Sequence, residues 1–180
     1  MSRFTTLAIT IFGITLLSAG VVWFTDIRAA SDPTGLADST PQGPGLERYV
    51  DPVGGFFFDY PAGLKLTVTD VGEDHTIFGD TPDGETRLIV VAYPYVLDEP
   101  LTGELIQAQF GDAITSPIAR LPLSIGTAFT FQRADTPLGA TRDALFVAGD
   151  TAYQVSAVAD YETLFNGILQ TWRFTSPSTQ

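Results

Sequence analysis

The sequence predicts an α+β protein in which an antiparallel β-sheet is flanked by helices, as an α/β/α sandwich, preceded by one N-terminal transmembrane helix. Short segments of β-branched and aromatic residues, separated by turn signals, make up most of residues 47–175. Two segments have helical periodicity, and they do not alternate regularly with the strands as a parallel α/β fold requires. Residues 4–25 form an uncharged run of 22 positions.

The uncharged run at residues 4–25 is long enough to cross a membrane, because a spanning helix needs about 20 apolar residues. Arg3 precedes it, and the positive-inside tendency then leaves the N-terminus in the cytoplasm and places the C-terminal domain outside it. A cleaved signal peptide, with a shorter apolar core, is the alternative, and the domain would then be secreted. The length favours an anchor over residues 1–28 that is not cleaved.

Composition divides the remainder of the chain. Residues 29–46 are rich in Ser, Asp, Pro, Thr and Gly, which predicts a flexible linker. Residues 47–175 are numerous enough for one domain with its own core, and residues 176–180 form a polar tail. The chain has no cysteine, so disulfides cannot stabilise it. Its net charge of −12 repels nucleic acid, which we exclude as a partner.

The first half of the domain predicts four strands. Residues 56–60 are aromatic and bounded by glycine and proline, residues 64–68 alternate apolar and polar, and residues 76–78 form a short third strand. Residues 82–84, Pro-Asp-Gly, predict a turn. Residues 87–93 follow as a central strand, because their apolar run is continuous.

The second half predicts two helices and four strands. The first helix covers residues 103–113 with Thr102 as its N-cap, and strands follow at 118–121 and 128–133. Residues 145–148 and 152–158 predict a hairpin around Gly149-Asp150. The last helix begins after Asp160, its predicted N-cap. Its apolar face comprises Tyr161, Leu164, Phe165, Ile168, Leu169 and Trp172.

Two segments at the ends of the domain carry a family resemblance. The first is Tyr49-Val50-Asp51-Pro52 followed by Gly55-Phe56-Phe57-Phe58-Asp59-Tyr60-Pro61, and the second is the helix and aromatic strand of residues 165–174. Together they resemble the PsbP-like domain, or Mog1/PsbP fold. The resemblance implies a small antiparallel sheet between helices. It also implies a non-catalytic role, since members include accessory subunits of photosystem II, a small-GTPase adaptor and membrane-tethered bacterial proteins.

Acidic residues and the single histidine are concentrated between positions 70 and 85. Carboxylates and an imidazole can bind Ca²⁺, Mn²⁺ or Zn²⁺, which makes an exported metal- or small-ligand-binding domain the alternative function. The spacing matches no defined metal loop, and solvated acidic turns explain the same pattern. No cofactor is otherwise expected. The candidate metal ligands are Asp70, Asp74, His75, Asp80, Asp83 and Glu85.

Aromatic residues supply candidate partner contacts. Phe57 lies on the opposite strand face from Phe56 and Phe58, and Tyr93 and Tyr95 end the central strand, where they can rim a cleft. Ordinary core packing and strand capping are the simpler interpretations of all three contacts.

No catalytic motif stands out. The sequence has no cysteine nucleophile, Gly-x-Ser-x-Gly elbow, phosphate-binding loop or dinucleotide fingerprint. We therefore expect no enzyme, but a membrane-anchored extracytoplasmic domain that binds a membrane or extracytoplasmic protein or supports complex assembly.

Overall fold

Two antiparallel sheets and two short helices make up the described part of the molecule. The computed structural model describes residues 41, 43–51, 55–71 and 74–175, without the side chains of residues 71 and 135. The predicted anchor at residues 4–25, residues 29–40 and 42 of the predicted linker, and the tail at 176–180 lie outside these residues. Neither described helix is long and apolar enough to span a membrane.

The elements follow the predicted order, with one strand added before them that was not predicted and that begins at Leu46 in the predicted linker. The helices are α1 (Gly103–Phe110) and α2 (Glu162–Thr171), with 3-10 turns at Gly111–Ala113 and Ala159–Tyr161. The strands are β1 (Leu46–Val50), β2 (Phe56–Pro61), β3 (Lys65–Val71), β4 (Asp74–Asp80), β5 (Thr86–Pro94), β6 (Ala119–Leu123), β7 (Gly126–Thr136), β8 (Gly139–Ala148), β9 (Thr151–Val158) and β10 (Arg173–Phe174).

The strands form two sheets where the sequence predicted one. The smaller sheet has the order β1-β2-β10, the larger has the order β3-β4-β5-β9-β8-β7-β6, and all pairings are antiparallel. The division falls after β2, which ends at Pro61, a residue without an N–H for a strand ladder. The amide of Leu64 then donates to the Pro61 carbonyl (2.9 Å), and this tight turn directs β3 into the second sheet.

Turn chemistry predicted two of the hairpins correctly, β4–β5 and β8–β9. Gly149 and Asp150 connect β8 to β9 so that Ala148 pairs with Thr151, and Gly149 has the positive φ (59°) that a primed turn requires. Gly84 in the β4–β5 turn likewise has a φ of 85°. Both positions favour glycine because it has no Cβ to clash.

The predicted start of α1 is confirmed, its α-helix ends at Phe110 where the prediction extended to residue 113, and the predicted cap of α2 is corrected. The Thr102 hydroxyl accepts a hydrogen bond from the Leu105 amide (3.2 Å), as an N-cap does. The predicted cap Asp160 is wrong, because it lies within a 3-10 turn and the cap position belongs to Tyr161, which makes no side-chain capping bond. That turn carries the Tyr161 ring to 5.1 Å from the Arg87 guanidinium carbon.

Each face of the seven-stranded sheet has its own core. The face that carries Phe146 and Tyr153, which we call the α2 face, packs against α2 and the small sheet around Trp172. The opposite face, the α1 face, carries a smaller cluster in which Ile106 of α1 contacts strand residues. Those strand residues are Phe129, Phe131 and Leu145.

Candidate functional site

The six predicted metal ligands fall into two groups at opposite ends of β4. Asp70 pairs with His75 and Val71 pairs with Asp74 at the β3–β4 end. Asp80 ends β4 at its other end, next to the β4–β5 turn that contains Asp83 and Glu85. Seven residues of strand separate the two ends by about 20 Å. The predicted set therefore cannot bind one ion.

The carboxylates at the β4–β5 turn are engaged within the hairpin. Asp83 accepts a hydrogen bond from the Thr81 hydroxyl, which lowers the pKa of this exposed carboxyl. The Thr86 hydroxyl donates to Asp80 (2.6 Å), and Glu85 pairs with Arg87. These contacts agree with the interpretation of an acidic turn.

His75 occupies the centre of a polar cluster that connects the two sheets. Its Nε2 lies 2.6 Å from Oδ1 of Asp51, and its Nδ1 lies 2.6 Å from Oδ1 of Asp70. The Tyr49 hydroxyl donates to the same Asp51 oxygen (2.8 Å). The Asp51 side chain is completely buried, whereas that of Asp70 is 70% exposed. Tyr49 and Asp51 thus bring the small sheet to the end of β4.

The chemistry of this cluster follows from its donors. Each ring nitrogen of His75 has one carboxylate oxygen 2.6 Å away, so both nitrogens are engaged within the cluster. Burial, followed by the charge of Asp51, raises the pKa of Tyr49, which therefore keeps its proton as a donor. In the described part of the chain, no group of three or more His, Asp or Glu residues is arranged to hold a metal ion.

A second buried polar network, which sequence reasoning missed, lies on the α1 face. Asp143 is fully buried and accepts hydrogen bonds from Arg133 (2.7 Å), Thr141 (2.7 Å) and Ser156 (2.5 Å). The Arg133 guanidinium carbon also lies 4.6 Å from the centre of the Phe110 ring. Serine and aspartate occur together in Ser-His-Asp catalytic triads, which also need a histidine as base. The single histidine of this chain, His75, contacts Asp51 and Asp70 instead.

An open groove of about 360 Å³ lies on the α1 face, at the end of the sheet where β5 finishes. We call it the Tyr95 groove. Its lining residues are Tyr95, Pro100, Leu101, Arg120, Thr127, Phe129 and Val147. Tyr95 is fixed in the wall, because its hydroxyl donates to the Glu99 carbonyl (2.8 Å) and its amide donates to the Asp150 carbonyl (2.8 Å). A smaller cavity of about 240 Å³ lies between β6 and α2.

The three predicted contact residues lie in different places. Tyr95 lines the groove, as a cleft-rimming residue should. Tyr93 packs instead against the Ile106 cluster, and burial raises its pKa to about 12. Phe57 belongs to the small sheet, where the Arg48 guanidinium carbon lies 4.6 Å from the centre of its ring. Arg120 was not foreseen, since an exposed arginine in a strand gives no local signal.

Comparison with known proteins identifies the fold. No protein-family model and no curated protein matches the sequence. The solution structure of cyanobacterial PsbP (CyanoP) from Synechocystis is similar, with a TM-score of 0.52 over 82% of this chain and 98% of that chain at 16% identity. The chain therefore has a PsbP-like fold, as its opening and closing segments predicted. At this identity the likeness establishes architecture, and a fold does not by itself assign a role.

Proposed function

We propose that this chain is a non-enzymatic, membrane-anchored domain that binds a partner protein on the extracytoplasmic side through the Tyr95 groove. The groove is the observation that carries this proposal. It combines an immobilised tyrosine, a partly exposed apolar floor and an arginine. Aromatic residues and arginine are the side chains most enriched where proteins bind one another.

The shape of the groove favours a protein segment over a small molecule. Small-molecule sites are concave and enclose most of the ligand surface. The Tyr95 groove is open, and its residues come from the β5–α1 connection and three strands, β6, β7 and β8. An open surface of this kind suits one or two side chains of a partner segment whose remainder lies on the neighbouring surface.

The polar clusters support a role without catalysis. A general base or nucleophile must face a space where substrate can lie. Both ring nitrogens of His75 contact carboxylates, and the buried Asp143 carboxylate accepts hydrogen bonds from four side chains. Both clusters therefore contribute to the structure, one between the sheets and one beneath α1.

The membrane part of the proposal rests on the uncharged run at residues 4–25. A flexible linker over residues 29–46 would have a reach of roughly 20–25 Å. The groove could then meet membrane proteins or extracytoplasmic proteins close to the membrane surface.

Site-specific photo-crosslinking in native membranes tests the proposal. A photoreactive phenylalanine analogue replaces Thr127, an exposed residue in the groove, or Thr163, an exposed residue on α2, as the matched control. We expect a discrete crosslinked protein from position 127 that is absent from position 163. Val147→Glu, which places a carboxylate in the groove that Arg120 also lines, should abolish that crosslink. Identical products from both positions, or full-length chain released from membranes by carbonate, would contradict the proposal.

A further inference from the structure

We propose that the Tyr95 groove recognises a partner segment in which a large apolar side chain stands next to a carboxylate, and that Arg120 binds the carboxylate. This inference rests on the proposed function and names the chemistry of its ligand. The groove combines a cation with apolar side chains: the Arg120 guanidinium carbon lies over the Phe129 ring, 5.5 Å from its centre, and Leu101 and Val147 line the same groove.

Arg120 differs from the other arginines of the described domain. Four of them form ion pairs: Arg48 with Asp59, Arg87 with Glu85, Arg133 with Asp143 and Arg142 with Glu162. Arg173 donates to the carbonyls of Gln170 and Trp172. Arg120 is exposed and forms no ion pair with any described residue, although the chain has 21 acidic residues. Within the described part of the chain, its guanidinium lies over the Phe129 ring and near Glu104 and pairs with no carboxylate.

The fold holds the apolar side chains of the proposed site in place. Phe129 is 6% exposed and belongs to the Ile106 cluster, so it forms a rigid floor. Leu101 and Val147 are half-buried and flank it. A large apolar side chain placed here would cover the parts of Leu101 and Val147 that the fold leaves in contact with water, which is favourable at about 25 cal/mol per Å².

The surroundings limit how many charges the ligand can carry. Glu104 of α1 is exposed, and its pKa is lowered by hydrogen bonding with its own backbone and with Thr102, and by the nearby charge of Arg120. The charge of Glu99 also acts on Tyr95, because it adds to the effect of burial in raising the pKa of that tyrosine. A single carboxylate at Arg120 is favoured, while additional anionic groups would meet these acidic residues.

A segment of a different protein suits the groove better than a second copy of this chain. The chain has a net charge of −12, so two copies repel one another. A volume of about 360 Å³ accommodates one or two side chains. Charge complementarity with Arg120 therefore assigns the groove to a short, singly acidic, apolar segment.

Three short peptides test the inference on the full-length chain in detergent micelles. The probes are acetyl-Ser-Phe-Asp-Ser-amide, its Phe-Asn analogue and its Gly-Asp analogue, titrated by NMR. We expect the Phe-Asp peptide to bind at least about tenfold more tightly than either analogue. It should exceed the Phe-Asn peptide because a hydrogen bond to a charged group contributes more than a neutral one. It should exceed the Gly-Asp peptide because that analogue has no apolar side chain to bury. Amide shifts should concentrate at Leu101, Phe129 and Val147. The advantage should decrease as salt is added.

Matched arginine variants identify the residue responsible. Arg120→Gln should remove the preference for Phe-Asp over Phe-Asn, while Arg142→Gln, whose arginine pairs with Glu162, should retain it. Equal affinity of the wild-type chain for Phe-Asp and Phe-Asn, shifts outside the groove, or no binding of any peptide would each overturn the inference. If crosslinking at position 127 succeeds while the carboxylate preference is absent, only the ligand chemistry is wrong and the proposed function stands.

Discussion

The two faces of the seven-stranded sheet bury their apolar side chains in different ways. On the α2 face, Trp172 is fully buried and contacts four aromatic rings, which belong to Phe56, Phe58, Phe146 and Tyr153. On the α1 face, the eight-residue helix α1 covers a cluster of four buried side chains. A charged network around Asp143 lies beside that cluster, and Phe78 and Ile89 on the same face remain partly exposed.

The two faces differ in how much apolar surface they bury. The α2 face buries large rings against both α2 and the small sheet, so most of the apolar burial belongs to it. The α1 face leaves a groove and an arginine without an ion pair among the described residues, which a binding surface needs and a core does not. We therefore expect core substitutions on the α2 face to unfold the domain and groove substitutions on the α1 face to leave it folded.

The largest expected effect comes from Trp172→Ala. Removing this ring leaves a cavity that both sheets line, so we expect a loss of about 3–5 kcal/mol in the free energy of unfolding, measured by urea denaturation. Trp172→Phe is the control. The buried indole N–H has no hydrogen-bond partner among the described residues, so the phenylalanine variant should be clearly more stable than the alanine variant. If Trp172→Ala lowered the free energy of unfolding by less than about 1 kcal/mol, the two sheets would not share this core.

Asp143→Ala should have the next largest effect and tests the α1 face. This substitution leaves the Arg133 side chain, which is 16% exposed, without its carboxylate partner. We therefore expect the free energy of unfolding, measured by urea denaturation, to decrease by about 3 kcal/mol. The double variant Asp143→Ala, Arg133→Met removes both charges and should recover part of the loss. If the double variant is as unstable as the single one, burial of an unpaired charge is not the cause.

The smallest expected effect is alkaline destabilisation through Tyr93. Burial, then the charge of Asp74, raises the pKa of Tyr93 to about 12 from its ordinary value of 10.0. The unfolded chain therefore loses this proton at lower pH than the folded chain, so the stabilisation is complete below pH 10 and is lost as pH rises towards 12. We expect a loss of about 1–2 kcal/mol across that interval, allowing for partial exposure.

Tyr93→Phe isolates this contribution, because Tyr60 titrates in the same range, its pKa being raised to about 12 by burial and by Glu47. Urea denaturation of both proteins at several alkaline pH values gives the difference. An equal decrease in stability for wild type and variant would show that Tyr93 does not titrate in this interval.

Local patterns predicted the elements that depend on neighbouring residues. Thr102 as a cap requires only a hydroxyl three residues before an amide, and the Gly149-Asp150 turn requires only a residue that tolerates positive φ. The apolar spacing of α2 predicted its buried residues for the same reason. The cap at Asp160 was wrong because the Ala159–Tyr161 turn places Tyr161 over Arg87, a residue far away in sequence.

The candidate sites were predictable only in part. Tyr95 was identified because it follows a central strand, and His75 because it stands among acidic residues. Asp51 was missed as the partner of His75, because 24 positions separate them and only the packing of two sheets brings them together. Arg133 and Asp143 meet through the register of β7 on β8.

The sequence by itself determined the class of fold, the turns at Gly84 and Gly149, the Thr102 cap, the apolar stripe of α2 and the net charge of −12. Each of these depends on backbone preferences or on charge, which are properties of single residues and their near neighbours. The tertiary structure alone decided that there are two sheets, that His75 lies between Asp51 and Asp70, and that Arg120 faces a groove without an ion pair among the described residues. These depend on strand register and on packing between layers, where contacts join residues that are distant along the chain.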